Sequence, residues 1–245
     1  LGVDVETIYG TDLYLYNRME PSIWGANEEF ISCPQLDDLQ CAYTSLQGFL
    51  KGANKQSINV FACFDNEEVG SGTKQGAGST FLYDAMRRIN NALGKGEEEY
   101  YRALASSFML SADNAHAVHP NHPAKTDVNN CVYMNEGIVV KSHAGQKYTS
   151  DAVSIAVFKG LCKKAGVPVQ FFSNRSDTAG GSTLGNIAMA QVSMNSVDIG
   201  LPQLAMHSSY ETAGVKDTAY MIKVMEEFFN SHIEEMSGHI LKVTK

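Results

Sequence analysis

The sequence lacks the features that mark a nucleic-acid-binding, disulfide-rich or membrane-spanning protein. Its 245 residues carry a formal net charge of −8, and the 19 lysines and arginines form no basic stripe. This balance argues against nucleic acid or an anionic membrane surface as a partner. No stretch approaches the roughly 20 apolar residues of a transmembrane helix. The five cysteines include no CxxC pair, which indicates reduced thiols in a cytoplasmic protein.

The sequence also contains no internal repeat and no low-complexity linker that would divide it. Hydrophobic residues make up 44% and charged residues 19% of the chain, which is an ordinary globular mixture. A chain of this length can bury a sizeable core as one large domain or two small ones.

Apolar runs alternate with segments of helical periodicity along most of the chain. Strands are predicted at 58–64, 137–142, 167–172, in a segment that ends at 111–113, and within 197–208. Helices are predicted at 76–93, 98–110, 150–166, 182–194 and 218–236. In the helix at 150–166, Ser150 is the predicted N-cap and Gly166 the predicted stop.

This alternation predicts an α/β fold, a three-layer α/β/α sandwich with a mostly parallel central sheet. The first segment, 1–32, has no helical pattern and is predicted to form a β-hairpin or a peripheral strand pair. In a sheet of this kind, functional side chains gather at the carboxyl ends of the strands.

Acidic residues and one histidine stand where apolar runs stop. The candidates are Asp37 or Asp38, the adjacent pair Glu67 and Glu68, Asp113, and His207. Carboxylates combined with an imidazole suit zinc, manganese or cobalt. Carboxylate-rich sites with a shared aspartate often hold two ions about 3.5–4 Å apart.

The adjacent acids Glu67 and Glu68 can perform two different tasks at one site. Successive side chains diverge at the end of a strand, so one can bind a metal while the other takes a proton from water. Each candidate also has an ordinary interpretation: a solvated surface pair at 67–68, a helix N-terminus at 37–38, loop histidines at 116–122, and a core histidine at 207.

Six segments resemble the aspartyl aminopeptidase family of dinuclear metallopeptidases. In chain order they are SCPQLDDLQCAY, FDNEEVGSGTKQGAGS, SADNAHAVHPNHP, IVVKSHAGQKYTSDAVS, SDTAGGSTLGNI and DIGLPQLAMHS. They follow the order of the family and cover about residues 10–230. The resemblance implies a zinc-aminopeptidase-like fold and two divalent metal ions, zinc in the first place, with cobalt or manganese as alternatives.

The resemblance also implies roles for the residues at the centre of the site. Asp37 matches the aspartate that bridges both metals, and Glu67 matches the general base. Glu68 matches a ligand of one metal, Asp113 a ligand of the other, and His207 the last imidazole ligand.

Further positions match residues around this centre. Lys141 and Tyr148 match residues that face the substrate, and Lys141 is the expected partner of an acidic side chain. The alternative for Lys141 is a solvated lysine at a strand end, and Arg175 is a second candidate for the substrate's charge. Four more positions match the surroundings of the site: His116 and His119 as histidines beside the ligands, and Gly180 and Gly181 as a packed turn or a helix cap.

The sequence departs from the family pattern in its first half. The family has an earlier metal-ligand histidine, whereas all seven histidines here lie at or after His116. The lid and dimerisation insertion of the family is missing as well. The expectation is that residues 1–245 form the C-terminal catalytic part of a longer metallopeptidase, with a truncated, inactive homologue as the alternative.

The expected activity is removal of an N-terminal Asp or Glu from peptides by metal-activated water. Two alternatives stay open: an aminopeptidase of the same fold with another specificity, and an inactive homologue that serves assembly. The expected partners are peptides with an acidic N-terminus and, in a full-length protein, further copies of the same chain.

Overall fold

The computed structural model describes residues 2–237 and 240–244. Its helices are α1 (Leu36–Lys51), α2 (Phe81–Ala92), α3 (Glu97–Ala105), α4 (Ala152–Ala165), α5 (Leu184–Ala188) and α6 (Val215–Phe229). Its strands are β1 (Ser22–Trp24), β2 (Phe30–Cys33), β3 (Phe108–Ala112), β4 (Ala115–His116), β5 (Ile138–Ser142), β6 (Val169–Ser173), β7 (Asn195–Gly200), β8 (Pro202–Leu204), β9 (Glu211–Gly214), β10 (His232–Ser237) and β11 (Ile240–Thr244).

A four-stranded sheet with the order β3-β7-β5-β6 forms the centre of the fold. The pairs β3–β7 and β5–β6 are parallel, whereas β7 and β5 are antiparallel. The two central strands, β5 and β7, are rich in buried β-branched residues, as expected where a sheet is covered on both faces. The α/β class is therefore confirmed, and the central sheet is mostly parallel.

Side chains alternate between the two faces of this sheet. Leu110 packs into the largest core cluster, together with Val197 and Ile199 and with side chains of α4 and α6. Ser111, the next residue of β3, faces the opposite way, where Gly185 of α5 approaches it closely. Helices thus lie on both faces of the sheet, which gives the predicted three layers.

A second sheet, with the order β1-β2-β9-β8-β4, positions the ends of the chain segments that build the site. Strand β2 runs directly into the start of α1, and β8 ends shortly before His207. Strand β4 follows Asp113 after a single residue and pairs with β8. Three of the predicted ligand segments therefore adjoin strands of one sheet.

Several predicted elements end elsewhere than expected. The helix predicted at 76–93 begins only at Phe81, because residues 71–79 form turns in which Gly76 lies against the Ser71 carbonyl. The helix predicted at 182–194 has regular geometry only over Leu184–Ala188, and then continues in irregular turns. The helix predicted at 218–236 ends at Phe229, where the Asn230 side chain binds the Glu226 carbonyl.

The strand predicted at 58–64 is wrong as a paired element. In the part of the chain that the structure describes, its backbone makes no ladder hydrogen bonds. The predicted N-cap Ser150 is also wrong, since the Asp151 side chain accepts the Ser154 N–H at 2.7 Å. The predicted stop at Gly166 is confirmed by its left-handed backbone.

The predicted strand pair in the first segment occurs as the antiparallel hairpin β1–β2, while residues 8–21 have no regular secondary structure and are mostly exposed. Residue 1 of that segment, and residues 238, 239 and 245 of the predicted domain, lie outside the described residues. None of the helices within the described ranges has both the length and the apolar character that a bilayer crossing requires.

Candidate metal centre

Asp37 stands at the junction of β2 and α1, where the chain enters the helix with non-helical backbone angles. The peptide bond between Asp37 and Asp38 is cis. The Asp37 side chain is only 4% exposed. The junction thus turns a buried carboxylate away from the regular helix at the edge of the second sheet.

Three predicted ligands meet at this point. His207 Nε2 lies 3.2 Å from Asp37 Oδ2 and 3.3 Å from Glu68 Oε1. One ligand atom from each of these three residues lies within 4.8 Å of the others. We refer to Asp37, Glu68 and His207 as the first ligand group.

A second ligand group consists of Asp37, Asp38 and Asp113, again within 4.8 Å of one another. Asp37 belongs to both groups, so its carboxylate lies between them. The residues alone leave Asp37 and Asp38 as alternatives and the resemblance selects Asp37, whereas the structure brings both of them to the site. Asp113 follows β3, and its Oδ2 also accepts a hydrogen bond of 2.8 Å from Lys141 Nζ.

The carboxylates of these groups crowd one another. Burial, and then the charges of Asp113 and Glu68, raise the pKa of Asp37 to about 8. Burial, and then the charges of Asp113 and Asp37, raise the pKa of Asp38 well above its usual range. Oδ1 of Asp37 and Oδ1 of Asp38 are buried without a hydrogen-bond partner among the described residues.

This donor set fits a divalent cation. Buried carboxylate oxygens without partners are costly, and a cation between them supplies the missing positive charge and ligand bonds. Carboxylate oxygens with one imidazole nitrogen are donors that zinc accepts. The residues present therefore fit the metal that the sequence analysis expects.

Glu67 lies beside the first ligand group without belonging to it. Burial, and then the charges of Asp113 and Glu68, raise its pKa, while His207 and Lys141 lower it by less. The carboxyl group therefore lies within electrostatic reach of both ligand groups. Glu68 belongs to the first ligand group and Glu67 does not, although the two residues lie in a turn and not at the strand end that the sequence predicts.

Lys141 is buried at 3% exposure next to Asp113. Burial lowers its pKa, but the charge and the hydrogen bond of Asp113 more than offset this, so the net shift is upward. Its Nζ lies 5.7 Å from the ring centroid of Tyr148, a cation–π distance. The structure thus places the two predicted substrate-facing residues together, with the ammonium group already paired.

The Tyr148 ring also contacts a histidine near Lys141. Its centroid lies 6.2 Å from that of His143, a residue that the sequence analysis did not single out. A Cβ on Gly180 would lie 2.7 Å from His143 Nε2, so only glycine fits here without movement. Gly181 has open space around it, and no such packing role is visible for it.

Three further predicted residues are His116, His119 and Arg175. The first lies near the site, and the other two contact residues close to them in sequence. The pKa of His116 is lowered by desolvation and by the charges of Lys141 and His207, which places its ring near the site. The centroid of the His119 ring lies 5.0 Å from that of His122, with the rings tilted by 41°, and its described contacts do not reach the carboxylates. The Arg175 guanidinium binds the carboxylate of Asp177 in a bidentate pair.

A buried amide network beneath the site escaped the sequence analysis. Asn114 Nδ2 donates to the Leu36 carbonyl at 3.0 Å and to Gln203 Oε1 at 2.8 Å, and Cys41 Sγ donates to Asn114 Oδ1 at 3.0 Å. These contacts join the segments that carry Asp37, Asp113 and His207. Amides in ordinary positions give no sequence signal, and only the position of Asn114 directly after Asp113 could have drawn attention to it.

Comparisons with known proteins identify the family to which the chain is similar. The model of a family described as aminopeptidase I zinc metalloprotease (M18) matches residues 1–229. A curated relative from Clostridium acetobutylicum, called "Probable M18 family aminopeptidase 2", is 49% identical over 230 residues, which are 94% of this chain and 53% of the relative. A relative of the same name from Mycobacterium leprae is 35% identical over 232 residues, 95% of this chain and 54% of that protein.

Solved structures give the same result. The chain superimposes on the structure titled "Cryo-EM structure of the Ape4 and Nbr1 complex" with a TM-score of 0.81 and 35% identity, covering 87% of this chain and 42% of that chain. For the mApe1 dodecamer from S. cerevisiae the TM-score is 0.76 and the identity 28%, covering 87% of this chain and 49% of that chain.

The chain spans about half the length of the curated relatives that it matches. The family match nevertheless extends over nearly all of its residues and confirms the resemblance carried by the six segments. The chain belongs to the M18 family of aminopeptidase I zinc metalloproteases.

Proposed function

We propose that this chain carries the metal centre of an aminopeptidase that removes an N-terminal acidic residue from peptides. The observation that supports this most strongly is the position of Asp37 between two ligand groups. A shared carboxylate is the usual arrangement for two metal ions that act together on one reacting bond. The family match supports zinc as the metal.

In this proposal Asp37 would be a ligand common to two ions. Glu68 and His207 would hold one of them, and Asp113 would hold the other. Zinc at such a site supplies Lewis acidity, which acidifies water and polarises a peptide carbonyl. The lone pairs without partners on Asp37 and Asp38 are in accord with two cations.

Glu67 is the general base of the proposed reaction. Burial, and then the charges of Asp113 and Glu68, raise its pKa. The pKa is thereby brought closer to neutral pH. A carboxylate of this kind accepts a proton efficiently and also returns it. Glu67 thus takes a proton from water and delivers it to the nitrogen of the leaving amine.

Lys141 and Tyr148 form the substrate side of the proposal. A buried ammonium group favours a carboxylate over a neutral side chain, which would give preference for Asp or Glu. The existing pair with Asp113 at 2.8 Å favours a second candidate, an aminopeptidase without acidic preference. Acidic preference requires that Lys141 releases Asp113 and binds the substrate when Asp113 binds a cation. Without this release, the aminopeptidase has no acidic preference.

The assembly and the location of the protein belong to the same proposal. The structure of S. cerevisiae mApe1 is described as a dodecamer, which supports a homo-oligomer for the complete protein. The five cysteines are free thiols in the structure, which is in accord with a cytoplasmic location.

One experiment tests the activity and the specificity together. Zinc content and hydrolysis of Asp- and Leu-linked chromogenic substrates are measured on the same sample. Glu67→Gln is expected to keep its zinc and lose turnover by roughly 10²–10⁴-fold, the usual contribution of a general base. Turnover that survives this substitution would show that Glu67 is not the base.

Specificity is tested by Lys141→Leu, with Lys147→Leu as the matched control because Lys147 is an exposed lysine of the following loop. Lys141→Leu is expected to reduce the ratio of Asp to Leu hydrolysis, while Lys147→Leu leaves this ratio unchanged. An equal ratio in wild type and Lys141→Leu would favour the candidate without acidic preference.

A further inference from the structure

Glu211 is a carboxylate that belongs to neither ligand group. It begins β9, opposite Cys33 at the end of β2, and it is 2% exposed. Its Oε2 accepts the backbone N–H of Asp37 at 2.9 Å, and its Oε1 accepts the backbone N–H of His207 at 2.8 Å. One side chain therefore binds the main chain of two members of the first ligand group.

These two contacts differ in their span along the chain. His207 lies four residues before Glu211, so this contact alone could be an ordinary turn within the β8–β9 connection. Asp37 lies 174 residues away, at the start of α1. A turn cap does not explain this second contact, which ties together two segments that are remote in sequence.

The backbone is irregular at both positions. His207 has a φ of +66° and Ala205 a φ of +59°, in the left-handed region that residues other than glycine rarely adopt. The N–H of Asp37 belongs to the first turn of α1, where no helical carbonyl is available as an acceptor. Glu211 supplies both acceptors from within the protein.

We propose that Glu211 is a positioning residue that sets the separation between the Asp37 carboxylate and the His207 imidazole. This inference rests on the metal centre proposed above. Groups that orient metal ligands by hydrogen bonds commonly change metal affinity by about 10–100-fold when they are lost. Because Glu211 is buried and binds only main-chain groups of the ligands, it acts through these ligands and not on the substrate.

The test is Glu211→Gln, which keeps the shape of the side chain but leaves only one acceptor oxygen for two N–H groups. Zinc affinity of the full 245-residue chain is measured by competition with a chromophoric chelator. The expected result is a loss of about 10–100-fold. The visible spectrum of the cobalt-loaded chain is recorded as well, and it is expected to change because the two ligands move apart.

Asp217 offers a matched control at the other end of β9. It is a fully buried carboxylate that accepts the backbone N–H groups of Asn135 and Gly137, and its described hydrogen bonds do not include a metal-ligand residue. Asp217→Asn removes one acceptor from an equivalent clamp. It is expected to leave zinc affinity and the cobalt spectrum as in wild type.

Each outcome decides the point. Wild-type affinity in Glu211→Gln, or an equal loss in Asp217→Asn, overturns the positioning role while leaving the metal centre in place. Zinc binding that is equally weak in wild type and in His207→Ala overturns the metal centre itself and the role of Glu211 with it. If circular dichroism shows that Glu211→Gln does not fold, Glu211→Asp gives the same test, because its carboxylate is one methylene too short to reach both N–H groups.

Discussion

The Asp37 carboxyl group illustrates how much its surroundings alter a single residue. Burial and the neighbouring carboxylates of Asp113 and Glu68 raise its pKa from the ordinary 3.8 to about 8. Without a cation, the folded chain therefore holds a proton on this group in a pH range where the unfolded chain has lost it. Sites that are organised for a charged ligand commonly reduce stability in this way.

The direction of this effect gives a prediction for the metal-free chain. Because the pKa of Asp37 is higher in the folded state, the free energy of unfolding falls as the pH rises from about 4 to about 8. Asp37→Asn removes the titrating group. In the presence of a chelator it is expected to raise the melting temperature by several degrees at pH 8 and by less at pH 5, where the carboxyl group of the folded wild type is still protonated.

The measurement is a thermal unfolding series at pH 5, 6, 7 and 8, with and without zinc. Asp37→Asn should flatten the pH dependence in the chelator series and lose the stabilisation that zinc gives to wild type. Asp12→Asn, which removes an exposed carboxylate, is the control and should follow wild type. A steeper decline with pH in Asp37→Asn than in wild type would contradict the argument.

At the scale of single residues, the sequence predicts the candidate metal ligands but not the residues that hold these ligands in place. The motif segments named Asp37, Glu68 and His207, and the structure brings these three together. Their role as ligands stays a prediction. Glu211 and Asn114 could not be found, because their importance depends on which distant backbone groups they meet, and no local pattern encodes that.

Elements depend on local signals to different degrees. Helix α4 was predicted within two residues at its ends, because its periodicity and the stop at Gly166 are local. The run at 58–64 has the composition of a strand, yet a strand forms only with a hydrogen-bonded neighbour, which the run itself does not specify. Local sequence therefore predicts helices better than it predicts which strands pair with each other.

Close packing of α1 against α6 gives a prediction for a pair of elements. A Cβ on Gly48 of α1 would lie 2.3 Å from Met225 Cβ and 2.7 Å from the Met225 carbonyl carbon. Because α6 backbone is in the way, Gly48→Ala must push the helices apart. The expected cost is about 1–3 kcal/mol, as for other overpacked cores, measured by urea denaturation.

Gly160 of α4 is the matched control, because no atom lies within 4 Å of a Cβ placed there. Gly160→Ala is expected to stabilise the chain by roughly 0.5–1 kcal/mol through reduced backbone freedom. The two substitutions are chemically identical and should have opposite signs. Equal effects would show that helix propensity, and not the contact with α6, decides the outcome at Gly48.

The whole molecule presents a large apolar surface on α1. The helix buries one face against α6, while its opposite face exposes Leu39, Tyr43, Leu46 and Leu50 at between 37% and 67%. Their spacing of four, three and four residues places them in one stripe along the helix. Contiguous apolar surface of this kind is uncommon on a protein that remains alone in solution.

The last prediction concerns this stripe. We expect the 245-residue chain, purified as such, to associate with itself in a concentration-dependent manner, because association removes the stripe from water. The double substitution Leu39→Gln and Leu50→Gln should shift the population toward monomer in light scattering coupled to size exclusion. Leu93→Gln, which changes one leucine of similar exposure outside the stripe, is the control and should leave association unchanged. If the stripe variant associates as wild type does, the contact between copies lies elsewhere, for example on the exposed residues 8–21.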